Sequence, residues 1–402
     1  MVIRKISYYR VIVSLCLFMF LLSPVFGDEI SAVSFDKELP ENNIVTIQPD
    51  SLRILHNPLT GWVLYASMGV DAADFWAQYD HMYIPELGHN VSVTDYAHTL
   101  YIRASWTDFN PQEDVYGWKI DSNLRAYIEG AYQRNMRLAF RVVVDSRDKR
   151  TEFTPQFVKD AGAKGFMNKG KWSPYSDDSV FQKYYTKFVK ALAKDFNDPS
   201  KVEFIDGFGL GKWGEYHTMI YSTGDDTPKK AVFDWVTDIY SQAFDKVPVV
   251  INYHRWIGAG KDWVDDEHFA ADSEEMLEEA IKKGYSLRHD AFGMTTYYGS
   301  WERRFAKKYR NICPIIMEGG WIVKSHSYWQ DPRGYRKDSH EDVRRGEFDD
   351  SKEAHVNMMD FRFGDTESWF KDAFDLVRRF LREGGYRLYP SEISLPLEVS
   401  KK

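Results

Sequence analysis

Cysteine is almost missing from this chain: there are two in 402 residues, Cys16 and Cys313. Cys16 falls in a leader-like N-terminus, so the folded part keeps Cys313 alone and no internal disulfide framework is possible. Followed by a proline and an apolar run, Cys313 reads as a small core residue. No Cys/His group has zinc spacing and no cofactor motif is present, so neither a metal nor a cofactor is expected. A basic excess is missing too, with 52 Lys and Arg against 60 Asp and Glu and a formal charge of −8. Such an acidic chain is a poor ligand for a phosphate backbone, which excludes nucleic acid as a partner. No apolar run is long enough to span a bilayer, the candidate being Val11 to Leu22. Low-complexity tracts and internal repeats beyond a strand–helix period are likewise absent.

What is there begins with an export signal. Arg4, Lys5 and Arg10 lead into the apolar run, and Ser23-Pro24-Val25-Phe26-Gly27 follows it, which predicts cleavage before Asp28 and a periplasmic or extracellular mature chain. Leu15 ahead of Cys16 is bulky for a lipid attachment site, so no membrane anchor is expected. Four segments result: a signal peptide at 1–27, a polar N-terminal arm at 28–57, a large domain at 58–385, and a C-terminal piece at 386–402. Ile393, Leu395 and Leu397 alternate in that last piece, which is either one strand packed on the main domain or the start of a β-domain. Oligomeric state is not legible.

Within 58–385, short runs rich in β-branched and aromatic residues alternate with amphipathic stretches, the pattern of repeated βα units over a parallel sheet. Strands are expected near 61–66, 98–105, 136–145, 202–210, 247–253, 287–294, 313–317 and 355–361. Eight closes a barrel, so the expected fold is a (β/α)₈ TIM barrel with a short C-terminal β extension. Helices are expected at 119–134, Phe181–Phe196, Ala231–Phe244, 273–283 and Trp369–Leu381. The segments 66–97, 145–179 and 319–354 are long loops after strands, where such a barrel builds its working face.

Two carboxylates stand out. Gly207-Phe208-Gly209-Leu210-Gly211-Lys212-Trp213-Gly214-Glu215-Tyr216-His217 follows the apolar strand at 202–205, and its glycines permit unusual backbone angles around Glu215. Partly apolar neighbours would raise its pKa and suit it to general acid work; a loop salt bridge or helix cap is the plainer alternative. Ile315-Ile316-Met317-Glu318-Gly319-Gly320-Trp321 ends an uninterrupted apolar strand in a carboxylate with room beside it, which suits Glu318 to be a nucleophile. Strands 4 and 7 of a closed barrel face one another, so the two groups are expected to converge. A gap of roughly 5 Å between them would retain anomeric configuration at a sugar, and roughly 6.5–9.5 Å would invert it.

This placement of one glutamate after strand 4 and another after strand 7 resembles clan A of the glycoside hydrolases, in its β-galactosidase-like branch. The run Arg103-Ala104-Ser105-Trp106-Thr107-Asp108-Phe109-Asn110-Pro111-Gln112-Glu113-Asp114-Val115-Tyr116-Gly117-Trp118-Lys119-Ile120-Asp121 is similar to that clan's segment after strand 2, and Tyr297-Tyr298 to the aromatic beside its nucleophile. The resemblance spans roughly 58–385 and implies a retaining glycosidase with Glu215 as acid/base and Glu318 as nucleophile. It departs in two places: Gly214 stands where many members have an asparagine, and Met358-Met359-Asp360-Phe361-Arg362 replaces the tryptophan after strand 8.

A saccharide substrate also fits the composition, since 16% of residues are aromatic and an apolar sugar face stacks on exposed rings. Trp106, Trp213 and Trp321 are the candidates for stacking. Arg103, Asp145, Arg147, His217 and His254, with Tyr297 and Tyr298, complete the expected binding set. The competing readings are a non-catalytic glycan-binding protein on the same barrel, favoured by Gly214, and an inverting enzyme with Asp206 or Asp145 as partner carboxylate.

Overall fold

A computed structural model of the chain describes residues 42–50, 53–66, 68–147, 151–260, 267–294, 297–322, 340–384 and 386–396. The expected signal peptide lies outside the described residues, as does the stretch 323–339 of the loop that follows strand 7. All eight expected strands form: β1 Gly61–Tyr65, β2 Ala97–Ser105, β3 Arg137–Val143, β4 Val202–Asp206, β5 Val249–Asn252, β6 Ser286–Phe292, β7 Ile315–Gly319 and β8 Met358–Asp360. Each pairs in parallel with the next, and β8 returns to β1 through Met358 opposite Gly61, so the sheet is a closed barrel.

Period-2 alternation gives each strand two faces. Leu64, Ile205, Ile251, Leu287, Met317 and Met359 join the cluster shared with the helices. Their neighbours Val63, Phe204, Val250, Ile316 and Met358, with Tyr101 and Ala139, form a second cluster that fills the barrel. Two residues further along, the inward positions change character to Arg103, Arg141, Asp206, Asn252, Glu318 and Asp360. An apolar plug therefore carries a charged layer at the C-terminal rim. That layer follows directly from the alternation, because a residue two places on returns to the same face.

Helices cover the outside. They are α1 Ala72–Asp80, α2 Ser122–Gln133, α3 Ser179–Phe196, α4 Lys229–Ala243, α5 Glu267–Lys282, α6 Ser300–Tyr309, α7 His340–Glu353, α8 Arg362–Asp372 and α9 Phe374–Glu383. Aspartates start three of them: Asp71, Asp121 and Asp178 accept from the first-turn amides of α1, α2 and α3. In α3, Phe181, Tyr185, Phe188, Leu192 and Phe196 recur at helical spacing and are buried. The helix expected at Trp369–Leu381 is two, because Ala373 leaves helical geometry with φ −146° and ψ 40°. The long loops are also structured: 66–97 contains α1 and a hairpin of Met82–Ile84 with His89–Val91, and 145–179 contains a hairpin of Gly165–Asn168 with Lys171–Pro174.

The chain divides into a large unit, Asp50–Leu388, and a small one formed by its two ends. In the small unit Asn42–Thr46 pairs antiparallel with Glu392–Pro396. The C-terminal strand thus exists, and its partner is the N-terminal arm. Cys313 is a half-buried free thiol just before β7.

Candidate active site

Glu215 owes its position to a strained backbone. β4 ends at Asp206, and the chain then passes through positive φ at Gly209, Gly211, Trp213, Gly214, Tyr216 and Thr218. Three of these are not glycine, a cost of order 1 kcal/mol or more each that is typical of functional loops. Glycine is required at two positions. A Cβ on Gly209 would stand 2.3 Å from the Val142 carbonyl, and one on Gly211 2.7 Å from the His217 carbonyl. At Gly214, by contrast, a Cβ would meet Arg141, Gly209 and Val143 at 3.4 Å, an ordinary contact, and only the positive φ of +77° favours glycine.

His254 pins the resulting turn. Its Nδ1 accepts from the Trp256 amide at 3.2 Å, which leaves the proton on Nε2 to donate to the Glu215 carbonyl at 2.8 Å. Burial, with His217 nearby, holds this imidazole well below its usual pKa, so it stays neutral. The Glu215 carboxyl lies 3.6 Å from Arg141, 3.8 Å from Arg103 and 3.4 Å from His217. The expectation of a partly apolar setting is therefore wrong: Glu215 faces cations. Arg103 also donates to the Trp213 carbonyl at 2.7 Å and to the Tyr65 hydroxyl at 3.2 Å.

Glu318 comes from the inward face of β7. Its side chain is 6% exposed, against 14% for Glu215, and it accepts a short hydrogen bond from Arg288. Burial first, then the neighbouring charge of Asp290, push its carboxyl up to about 8. Asp360, across the β7–β8 pairing, is raised to about 6 by burial and accepts from Arg288 at 3.1 Å. Asp290 goes the other way: against burial, Arg141 and Arg288 hold it well below the carboxylate range. Arg141 also meets Asp206 at 2.5 Å.

One cavity of about 920 Å³ is lined by Glu215, Glu318, Arg103, Trp213, His217, His254, Tyr297 and Trp321 among the expected residues. Trp321 is 57% exposed at the rim. Four expected residues are not there. Trp106 is fully buried against Tyr185 at 5.2 Å and Phe181 at 6.0 Å, because the one-turn helix Trp106–Phe109 turns it under α3. Asp145 and Arg147 pair with each other, Arg147 Nε donating at 2.7 Å, and both are buried away from the cavity. Tyr298 is buried in a stack on Phe292 at 4.2 Å. Asp206, the alternative partner carboxylate, is buried beneath the cavity.

Sequence reasoning passed over Arg141, Arg288, Asp290 and Asp360. The signal was present: each is a charged residue within a strand and in phase with the inward positions, Arg141 and Asp360 among apolar neighbours and Arg288 and Asp290 in the polar run Ser286–Phe292. Among the described residues no cluster of three or more His, Cys, Asp or Glu is arranged to hold a metal, and no helix is long and apolar enough to cross a membrane.

Fold and site together define a (β/α)₈ barrel with a carboxylate-lined, aromatic-edged cavity at the C-terminal rim of its strands, the architecture that the resemblance implied. No protein-family model and no curated protein matches the chain. Among solved structures it is similar to an endo-1,4-β-xylanase from Caldicellulosiruptor owensensis, at 12% identity over 75% of this chain and 84% of that one with a TM-score of 0.43. It is similar to an endo-glycoceramidase II from a Rhodococcus species, at 12% identity over 79% and 77% with a TM-score of 0.44. A third is an exo-β-1,4-mannosidase from an Opitutaceae bacterium, at 13% identity and a TM-score of 0.45, where 81% of this chain spans 55% of the other.

Proposed function

We propose that this chain hydrolyses glycosidic bonds of an oligo- or polysaccharide by double displacement, with Glu215 as acid/base and Glu318 as nucleophile. The observation that carries the reading is the convergence of these two carboxyls, 103 residues apart in sequence, on one cavity edged by Trp213, Tyr297 and Trp321. Their exposures support the division of roles. Glu215 is the more open of the two, which suits a group that exchanges protons with the leaving group and with water. Glu318 sits deeper, fixed by Arg288, as suits a group that must meet the anomeric carbon in one orientation.

The leader read in residues 1–27 makes the substrate one met outside the cytoplasm; a secreted chain whose mass begins at Asp28 is the check. For the reaction, the measurement is turnover of aryl glycosides and polysaccharides by the native chain, Glu215→Gln and Glu318→Gln, with product stereochemistry followed by proton NMR. Both variants are expected to lose at least about a thousandfold in kcat while still binding saccharide, and the product is expected to keep its anomeric configuration. Saccharide binding without turnover by the native chain makes it a glycan-binding protein, and an inverted product removes the nucleophile role from Glu318.

A further inference from the structure

Glu215 and Glu318 each rest on an arginine, and the two arginines share a third carboxylate. Asp290 Oδ2 lies 2.5 Å from Arg141, whose same nitrogen is 3.6 Å from Glu215. Asp290 Oδ1 accepts from Arg288 Nε at 2.7 Å, while the far end of that guanidinium donates to Glu318. Both guanidinium groups are wholly buried, and the Asp290 side chain is 3% exposed. We infer that Asp290 is a positioning residue for both carboxyls, one oxygen holding Arg141 against Glu215 and the other holding Arg288 beside Glu318. This rests on Glu215 and Glu318 being the reacting pair.

The arginines have somewhere else to go. Arg141 already touches Asp206 at 2.5 Å, and Arg288 touches Asp360 at 3.1 Å and approaches Asp206 at 3.8 Å. Without Asp290, Arg141 would settle on Asp206 and draw away from Glu215, while Arg288, still bound at its far end to Glu318 and Asp360, would lose the Nε contact that fixes its orientation. A buried ion pair that loses one partner leaves the other uncompensated, which is why such rearrangement is favourable. Asp290 also links the two ends electrostatically. The charged and titratable groups facing Glu318 are Arg288 and Asp290 on β6, Asp360 on β8, Arg141 on β3, Arg103 on β2 and Tyr65 on β1. Among these, Asp290 is the anion that most opposes ionisation of Glu318, so removing its charge lets Glu318 release its proton at lower pH.

The test is Asp290→Asn, which keeps the shape and removes the charge. Expected are a fall in kcat of roughly 10–100-fold with KM little changed and a downward move of the Glu318 titration by about one unit. That titration is read by ¹³C NMR of the carboxyl in the unliganded chain and in the pH profile of kcat/KM. An unchanged Glu318 titration, or a risen KM with kcat kept, overturns the inference. If the native chain hydrolyses nothing, the NMR arm decides alone: a moved titration upholds the link while the hydrolase reading falls. If Asp290→Asn does not fold, the native chain supplies the answer. Asp290 remaining ionised over the pH range where Glu318 holds its proton supports the inference, and Asp290 titrating with or above Glu318 overturns it.

Discussion

Glu318 is asked to act as a nucleophile, yet burial keeps a proton on it up to about pH 8. A protonated carboxyl cannot attack an anomeric carbon. With Glu318 as nucleophile, kcat/KM of the free enzyme must therefore rise with pH through about 8 and level off above it. The roles exchanged, with Glu318 giving its proton to the leaving group and Glu215 attacking from among its cations, require the opposite: a rate that is full at acid pH and falls through 8. The limb of the profile carrying the Glu318 titration thus assigns the roles, and Glu318→Gln removes that limb. We expect the rising limb, because Glu215 is the more exposed of the two carboxyls and so the better placed to exchange protons with a leaving group and with water. A profile falling between pH 7 and 9 would hand the acid role to Glu318.

At the scale of elements, the segment from Gly207 to Thr218 does most to build the site, and its glycines are not interchangeable. Gly209→Ala adds a methyl 2.3 Å from the Val142 carbonyl and 2.6 Å from the Tyr185 hydroxyl, at a φ of +76° that alanine disfavours. Since the clash is with backbone, it cannot be relieved by a rotamer change. We expect Gly209→Ala to destabilise the fold by roughly 2–4 kcal/mol, seen as a lowered Tm, and to abolish turnover by displacing Glu215. A variant with native Tm and native kcat would show the loop to be slack. The same segment shows what a sequence discloses. Repeated glycine after an apolar run marked the site of Glu215, and short runs rich in β-branched and aromatic residues, alternating with amphipathic stretches, marked all eight strands. Trp106 was misread because one turn of helix decides whether its ring faces the cavity or α3, and composition carries no such direction. Trp369–Leu381 was read as one helix because the apolar spacing runs on through Ala373 with only a local break.

The whole barrel is an apolar plug beneath a buried layer in which carboxylates outnumber guanidiniums. Arg141 and Arg288 face Asp206, Asp290, Glu318 and Asp360, all on inward positions of β3, β4, β6, β7 and β8. Even with Arg103, which lies at the edge of this layer beside Glu215, the cations are too few for these anions in a medium where an uncompensated charge is costly, so the fold retains protons: Glu318 moves from 4.5 to about 8 and Asp360 from 3.8 to about 6. Where the native state binds protons that the unfolded chain has released, stability declines with rising pH. The contribution of these groups is complete below about pH 4 and is lost as pH climbs through 6 and then 8. Asp290, held low, acts in the opposite sense, but its stabilisation disappears only when pH drops below 4, outside that window. The native Tm is therefore expected to fall from pH 5 to pH 9. Glu318→Gln places a permanent neutral group where the native chain needs a proton, so its Tm should match the native value near pH 5, decline less steeply, and exceed it at pH 9. Thermal unfolding at pH 5, 7 and 9 measures this, and parallel Tm lines for the two chains would show that Glu318 is ionised in the native fold throughout. If the lines cross, the ionised Glu318 that attack requires is the form the barrel tolerates least, and the site holds its reactivity at the expense of stability.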